Sequence, residues 1–207
     1  MHKLRRIPLL IAAVCFGVLV LFLLLPRIPS TSNSNQMMGS NEHSGPTTSD
    51  PDSLKLMEAI NLVEGNQDPM KGIIMLRELV TKDSNNVDAQ FYLGVFSVRS
   101  GQLDKAIGRF ERVLAIRPND PLYVVNVGYQ YLGMGDINRA LPCFEHGIEL
   151  DSTNINALFF SAQCYEHQSK FALAKNNYEA LLRHTDDSLV VSKVTQIIDS
   201  LNIKLNP

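Results

Sequence analysis

A spacing of 34 residues that recurs through the middle of the chain constrains its fold more than any other feature. Identical residues stand at this spacing in five pairs: Gly94 and Gly128, Gly101 and Gly135, Ala106 and Ala140, Phe110 and Phe144, Glu111 and Glu145. A fixed period of this length is the signature of stacked repeats. Apolar residues follow helical spacing within each period, so the sequence predicts an all-α protein built from helical hairpins.

The small residues in the repeat indicate how each hairpin is packed. The apolar face of one hairpin cannot be buried by that hairpin alone, so neighbouring hairpins must stack. We expect Gly94 to lie against Ala106, and Gly128 against Ala140, so that the two helix axes approach closely. Phe110 and Phe144 are then expected to fill the remaining space between the helices.

The turn inside each hairpin is predicted from its glycine. Gly101 and Gly135 can adopt the left-handed conformation that ends the first helix. Asp104 and Asn138 follow three residues later and suit the N-cap of the second helix. Pro142 would then come four residues after that cap, where proline costs only an early hydrogen bond.

The segments GQLDKAIGRFERVLAIRPND and GDINRALPCFEHGIELDSTN, which align at this period, resemble the tetratricopeptide repeat. The shared features are a small residue on the first helix, Gly at the turn, Ala and an aromatic residue on the second helix, and Pro at the end. The first copy departs from the pattern, with Ile60 at the small position and Gly72 in place of Ala. The resemblance implies a right-handed superhelical stack of four hairpins, with repeats at 53–86, 87–120, 121–154 and 155–188.

The C-terminal segment 189–207 is predicted to be a capping helix for this stack. Its apolar residues follow the spacing of one amphipathic helix, at Val190, Val191, Val194, Ile197, Ile198 and Leu201. Such a helix would cover the apolar face of the last hairpin and turn its polar side to water.

The N-terminus predicts a membrane anchor at 7–25. Leu9–Leu25 is a run of 17 residues without a charged or strongly polar side chain, which spans about 25 Å as a helix. A cleaved signal peptide and a lipoprotein linked through Cys15 are the alternatives. Because Lys3, Arg5 and Arg6 precede the run, residues 1–6 are expected in the cytoplasm and the repeats on the far side of the membrane. This predicts a single-pass protein of a bacterial inner membrane, with its repeats in the periplasm.

Residues 26–52 are predicted to form a flexible linker. They are almost entirely Ser, Asn, Thr, Gly, Pro and other polar residues, which cannot bury enough surface to offset the entropy lost on ordering. The linker would hold the repeat domain away from the membrane.

Two Cys-x-x-His pairs, Cys143 with His146 and Cys164 with His167, raise the possibility of a zinc site. In the repeat register they lie on two adjacent antiparallel helices. The cysteines are at similar height, but the histidines diverge by about one turn in opposite directions. The sequence therefore predicts no metal. It favours free cysteines packed between helices, with a disulfide between them as the alternative.

Other features exclude several classes of function. The net charge is −2 and there is no basic tract, which argues against a nucleic-acid partner. The sequence contains no Gly-rich phosphate loop, no His-Glu-x-x-His and no Gly-x-Ser-x-Gly motif. We therefore expect no enzymatic activity, no cofactor and no small-molecule substrate.

The resemblance implies that the first helices of the hairpins line a concave groove for a peptide or a partner segment. Its groove positions correspond here to Met57, Asn61, Phe91, Val95, Arg99, Val125, Asn126, Tyr129, Phe159, Gln163 and His167. Met57 and Phe91 stand where the carboxylate-clamping members of the family need other residues, so the groove is predicted to suit an apolar segment. Some of these aromatic residues are alternatively explained by packing between repeats.

The predicted function is that of a membrane-anchored scaffold or adaptor that mediates protein–protein interactions. The alternative is a periplasmic assembly chaperone that holds client proteins, as membrane-bound tetratricopeptide proteins of cytochrome c maturation and of pilus assembly do.

Overall fold

The computed structural model describes residues 50–65 and 67–206. The predicted cytoplasmic segment 1–6 and membrane helix 7–25 lie outside the described residues, as does most of the predicted linker 26–52. Within the described residues, no helix combines the length and the apolar character needed to cross a bilayer.

The described residues form nine α-helices and no β-strand, which confirms the all-α prediction. The helices are α1 (Pro51–Glu64), α2 (Pro69–Lys82), α3 (Val87–Arg99), α4 (Leu103–Ile116), α5 (Pro121–Gly133), α6 (Ile137–Leu150), α7 (Ile155–His167), α8 (Phe171–Leu182) and α9 (Ser188–Leu205).

The first eight helices pack as four consecutive hairpins, α1–α2, α3–α4, α5–α6 and α7–α8. Each first helix also contacts the first helix of the next hairpin. In residues 50–65 and 67–206, the second helices of successive hairpins make no comparable contact with each other. The first helices therefore form one continuous face, whereas clefts can open between the second helices.

The apolar core continues along the stack in three clusters of buried residues. One lies within the first hairpin and the start of α3, the largest lies between α4, α5 and α6, and the third joins α7 and α8 to α9. In the third cluster Val194, Ile198 and Leu201 of α9 are buried against the last hairpin. Helix α9 thus covers the apolar face that α8 would otherwise expose.

The glycine turns have the predicted conformation, with φ of +72° at Gly101 and +78° at Gly135. The corresponding residue of the fourth hairpin is Ser169, which has φ of +57°. A side chain with a Cβ atom is strained in the left-handed region by about 1–2 kcal/mol. The fourth hairpin therefore has the same turn as the second and third, but with a less suitable residue.

We expect Ser169→Gly to stabilise the protein, because glycine has no Cβ atom to strain the left-handed turn. The gain should be about 0.5–1 kcal/mol, since glycine also increases the entropy of the unfolded chain. Thermal unfolding should show a higher Tm than for wild type. Ser152→Gly, at an exposed turn position, is the control and should not raise Tm. An unchanged or lower Tm for Ser169→Gly would show that the turn is not strained.

The N-cap predictions at Asp104 and Asn138 were wrong by two residues. Helix α6 begins at Ile137, and its N-cap is Asp136, whose carboxylate accepts a hydrogen bond from the Arg139 backbone N–H at 3.1 Å. Helix α4 begins at Leu103 after Gln102, which makes no side-chain cap. In both hairpins one residue separates the left-handed glycine from the first residue of the second helix. Asp104 and Asn138 therefore fall in the first turn of that helix.

This earlier start also changes the position of Pro142. Pro142 lies inside α6, six residues after the N-cap Asp136, and its ring is exposed. At that depth a residue normally donates its backbone N–H to the carbonyl four residues earlier, here Asn138. Proline has no backbone N–H, so this hydrogen bond is missing from α6. The missing bond belongs to the helix interior and not to the first turn, whose N–H groups have no helical partner in any case.

The aromatic residues predicted to fill the space between the helices lie directly against the glycines of the first helices. A Cβ atom at Gly128 would lie 2.8 Å from Cys143 Cβ and 3.0 Å from the Phe144 ring. A Cβ atom at Gly94 would lie 2.5 Å from the Phe110 ring. Because these atoms leave no room for a Cβ atom, glycine is required at both positions.

The first hairpin differs from the others in its register. Four residues, Gly65 to Asp68, separate α1 from α2, whereas three residues join the helices of each later hairpin. This extra residue shifts α1 by one position, so Ala59 rather than Ile60 is the fully buried small residue. A Cβ atom at Gly72 would lie 2.7 Å from the Ala59 carbonyl oxygen, so these two residues form the close contact between the helices.

Candidate functional site

The candidate site is the face formed by the first helices α1, α3, α5 and α7. Three of these helices, α3, α5 and α7, begin at a capping side chain: Asn86, Asp120 and Asn154 accept backbone hydrogen bonds from Ala89, Leu122 and Ala157, each at 3.0 Å. These caps fix where the three helices begin, and hence which side chains point away from the second helices.

On α3 the predicted residues Phe91 and Val95 are half-buried against the core. The Phe91 ring lies 5.9 Å from the Phe110 ring on α4 and 6.5 Å from the Tyr123 ring on α5. Phe91 therefore packs between repeats, the alternative considered for these aromatic residues, and only part of its surface faces solvent.

On α5 the three predicted residues have different environments. Val125 is 7% exposed, and a Cβ atom at Gly147 would lie 2.6 Å from its Cγ2 atom. Val125 therefore belongs to the core between α5 and α6 and offers almost no surface to a ligand. Asn126 and Tyr129 are half-buried, and the Tyr129 ring packs 5.1 Å from the Phe160 ring on α7.

On α7 Phe159 and Gln163 are half-buried. The Phe159 ring contacts Phe160 at 5.4 Å and Tyr178 of α8 at 5.7 Å, so it also packs partly against the core. The Gln163 amide lies one turn further along the same helix. A half-buried aromatic ring and an amide side chain about one turn apart thus occur on both α5 and α7, with the amide first on α5 and the ring first on α7.

Four of the predicted residues are exposed. Arg99 and His167 stand at the C-terminal ends of α3 and α7, and Met57 and Asn61 lie on α1. The cationic Arg99 lies beside the backbone carbonyl groups that end α3, a favourable position for a positive charge. The structure thus brings half-buried aromatic and amide groups together, with charged or ionisable groups at the helix ends.

The sequence reasoning missed a hydrogen bond that joins two of these helices. The Tyr123 hydroxyl on α5 donates to the Asp88 carboxylate on α3 at 2.6 Å. Burial and this carboxylate raise the pKa of Tyr123, so the hydroxyl stays protonated and continues to donate. The sequence does contain a signal for this contact, because an acidic residue and a tyrosine stand 35 positions apart, close to the repeat length.

Tyrosine chemistry on this face is that of neutral hydrogen-bond donors. Burial raises the pKa of Tyr129, and burial with the nearby Glu64 and Asp88 carboxylates raises the pKa of Tyr92 to about 12. Neutral rings with hydroxyl tips can contact apolar side chains and the backbone of a bound segment. The site offers adhesion and hydrogen bonding rather than proton transfer.

The two Cys-x-x-His pairs do not converge. Cys143 and Cys164 are buried free thiols, and burial raises the pKa of Cys143 to about 11 and that of Cys164 to about 12. The His146 ring lies 3.0 Å from the Pro118 carbonyl oxygen, beside the turn before α5. His167 lies at the far end of α7. Among the described residues, no group of three or more His, Cys, Asp or Glu side chains is arranged to hold a metal ion.

Comparison with known proteins identifies the repeat. The tetratricopeptide repeat family matches residues 123–154, which span α5 and α6. Comparison with curated protein sequences gives no match.

Several solved structures share the fold. MamA 41-end from Desulfovibrio magneticus RS-1 is 16% identical with a TM-score of 0.63, covering 77% of this chain and 88% of its own. A tetratricopeptide repeat protein from Parabacteroides merdae is 15% identical with a TM-score of 0.64, covering 74% of this chain and 60% of its own. MamA of MSR-1 is 18% identical with a TM-score of 0.60, covering 74% and 86%.

At these identities the solved structures establish the fold but no shared partner or activity. The match at 123–154 identifies one tetratricopeptide repeat, and the solved structures show that the hairpins share the fold of tetratricopeptide repeat proteins.

Proposed function

We propose that the protein is a scaffold that binds a peptide segment of a protein partner on the face of its first helices. The observation that carries this proposal is the pairing of half-buried aromatic residues with amide side chains on adjacent helices, Tyr129 with Asn126 and Phe159 with Gln163. Aromatic surface provides apolar contact, and amides can both donate to and accept from a peptide backbone.

The repeat fold supports a scaffold rather than an enzyme. Stacked hairpins present an extended surface on a rigid framework, and the first helices here form one continuous face. Tyrosine and cysteine side chains in and near this face have pKa values raised by burial, so neither type is activated as a nucleophile or a base.

We further propose that residues 7–25 anchor this scaffold in a bacterial inner membrane, with the repeats on the periplasmic side. The support for this is the uncharged run Leu9–Leu25, preceded by Lys3, Arg5 and Arg6. The anchor would concentrate the binding face close to other proteins of the cell envelope.

The proposal predicts that the double variant Asn126→Ala, Gln163→Ala loses partner binding without losing stability. Each amide is expected to contribute about 1 kcal/mol through hydrogen bonds to a bound segment, so affinity should fall about tenfold or more. The partner is first captured by photocrosslinking from positions 126 and 163 of the full-length protein in its native membrane. Its affinity for wild type and variant is then measured by titration.

Asn176 on α8 is the matched control, since it is an exposed asparagine on a second helix. A crosslinker at position 176 should give little product, and Asn176→Ala should bind like wild type. Equal crosslinking from 126 and 176 would contradict the assignment of this face. Recovery of many unfolded clients instead of one folded partner would favour an assembly chaperone.

A further inference from the structure

A cleft of about 420 Å³ opens between the second helices α2 and α4 of the first two hairpins, with α3 as its floor. Its walls carry four basic residues: Arg77 on α2, and Lys105, Arg109 and Arg112 on α4. Gln90 and Ser97 of α3 line its base. The cleft is separate from the face of the first helices, because it lies between second helices.

The cleft exists because small and polar residues replace large apolar ones at this interface. Ser97 stands where the next two repeats have Tyr131 and Tyr165, 34 and 68 residues later. Gln90 stands where Val124 is fully buried in the next repeat. At the rim, a Cβ atom added to Gly108 would meet no atom within 4 Å. At the equivalent positions of the next repeat, the side chains of Val124 and Tyr131 are larger or apolar and are buried.

Polar groups in and beside the cleft form hydrogen bonds with two of the four basic residues, Arg109 and Arg112. The Arg109 guanidinium donates to the Gln90 side-chain oxygen at 2.5 Å, and the Gln90 amide donates to the Ser84 carbonyl at 2.9 Å. On the same helix as Arg109, the Arg112 guanidinium donates to the Asn85 side-chain oxygen at 2.6 Å. These partners are neutral, so they orient the guanidinium groups without neutralising them.

The positive charge of the cleft is not balanced by a carboxylate. In the described part of the chain, the ion pairs involve none of the four basic residues. Burial lowers the pKa of the Arg109 guanidinium, and the positive charge of Arg77 nearby lowers it further. Like charges repel one another, so an anion in the cleft would be stabilised by all four basic residues, of which Arg109 is the partly buried one.

The spacing of the cations indicates the kind of anion. Lys105, Arg109 and Arg112 lie at i, i+4 and i+7, which places them along one side of α4 over about 10 Å. Arg77 faces them from α2. An extended peptide presents every second side chain on one side, about 7 Å apart, so two or three acidic residues match this row. A single small anion would contact only one or two of the cations.

We propose that this cleft is a second binding site, which takes an acidic segment of a protein partner through its Asp or Glu carboxylates. The planar guanidinium groups of Arg77, Arg109 and Arg112 can each bind a carboxylate through two parallel hydrogen bonds. The Lys105 ammonium, which donates to Gln102 at 2.6 Å, adds a mobile charge at one end of the row. The protein would thus hold one segment on its first helices and an acidic segment between its second helices.

The test uses the full-length protein in detergent and fluorescein-labelled hexaglutamate as the probe, read by fluorescence anisotropy. Hexaglutamate should bind at low salt and weaken as salt rises, whereas hexaglutamine should not bind. The double variant Arg77→Gln, Arg112→Gln should weaken hexaglutamate binding about tenfold or more, because two charged hydrogen-bond donors are lost. The matched control is Arg117→Gln, Arg183→Gln, which removes the same charge from exposed positions outside the cleft and should bind like wild type.

A second variant tests the cleft without removing any charge. Ser97→Tyr introduces the residue that the next two repeats carry at this position, so it should fill the cleft and weaken hexaglutamate binding while the protein stays folded. Three results would overturn the proposal: equal binding of hexaglutamine, equal loss in the Arg117→Gln, Arg183→Gln control, or full binding by Ser97→Tyr. Displacement of hexaglutamate by tripolyphosphate at matched charge and equal potency would identify a phosphate site instead.

Discussion

Gly128→Leu is expected to lower the melting temperature of the protein by about 10 °C or more. A Cβ atom at position 128 would lie 2.8 Å from Cys143 Cβ and 3.0 Å from the Phe144 ring, distances too short for any side chain. Phe144 is fully buried and cannot move aside without opening the core. Overpacking of this kind costs about 3 kcal/mol, which corresponds to about 10 °C for a domain of this size.

The damage should spread beyond the third hairpin. In a stack, each hairpin is stabilised by its interfaces with its neighbours, so a distorted central hairpin weakens both interfaces. Phe144 also stacks on Phe160 of α7 at 5.5 Å, which links the mutated site directly to the fourth hairpin. We therefore expect partner binding to be lost as well, although Gly128 is buried and can touch no ligand.

Gly133→Leu is the matched control for this prediction. Gly133 lies on the same helix, but a Cβ atom there would meet no atom within 4 Å. The same substitution at this position should leave the melting temperature within a few degrees of wild type. If both variants melt alike, the effect comes from leucine on α5 in general and not from contact with Phe144.

The hairpins themselves could be predicted from the sequence because the repeat fixes their chemistry. Glycine at 101 and 135 predicts a left-handed turn, and the turn is there. The caps were predicted wrongly because an Asp or Asn suits a cap at several positions near a turn. Only the backbone decides which one accepts the bond, and here Asp136 rather than Asn138 does so.

The first hairpin shows why a period alone does not determine packing. One additional residue between α1 and α2 shifts α1 by one position, so Ala59, and not Ile60, stands at the buried position of the small residue. In the sequence, this shift is reflected in the length of the loop between α1 and α2. That length is known only once the ends of both helices have been located. Helix boundaries are the least certain part of any prediction from sequence.

The candidate site was predictable as a face but not as a set of accessible atoms. Positions carried over from the family identify which side of each first helix faces outward. They do not show that Val125 is buried on Gly147, or that Phe91 packs against Phe110 and Tyr123. Those contacts depend on the residues of the neighbouring repeat, which differ from one interface to the next. The basic cleft was missed for the same reason, since its four cations are separated by up to 35 positions in sequence.

Pro142→Ala is expected to stabilise the protein by about 2 kcal/mol and to raise its melting temperature by about 5 °C. Pro142 lies inside α6, where proline is about 3 kcal/mol less favourable than alanine. Alanine would restore the backbone hydrogen bond to the Asn138 carbonyl. The gain is reduced by up to about 1 kcal/mol, because alanine leaves the unfolded chain more flexible. The Pro142 ring is exposed, so little packing is lost with it.

Pro121→Ala provides the matched control, measured by the same thermal unfolding. Pro121 is the first residue of α5, where the backbone N–H has no helical partner and proline is favoured. Removing it should leave the melting temperature unchanged or slightly lower. If Pro142→Ala fails to stabilise the protein relative to this control, the proline is needed to position the residues that follow it. Cys143 and Phe144 are those residues, and both contact the backbone of α5 at Gly128. Proline would then act to hold them against that glycine, and its cost to the helix would be offset by this contact.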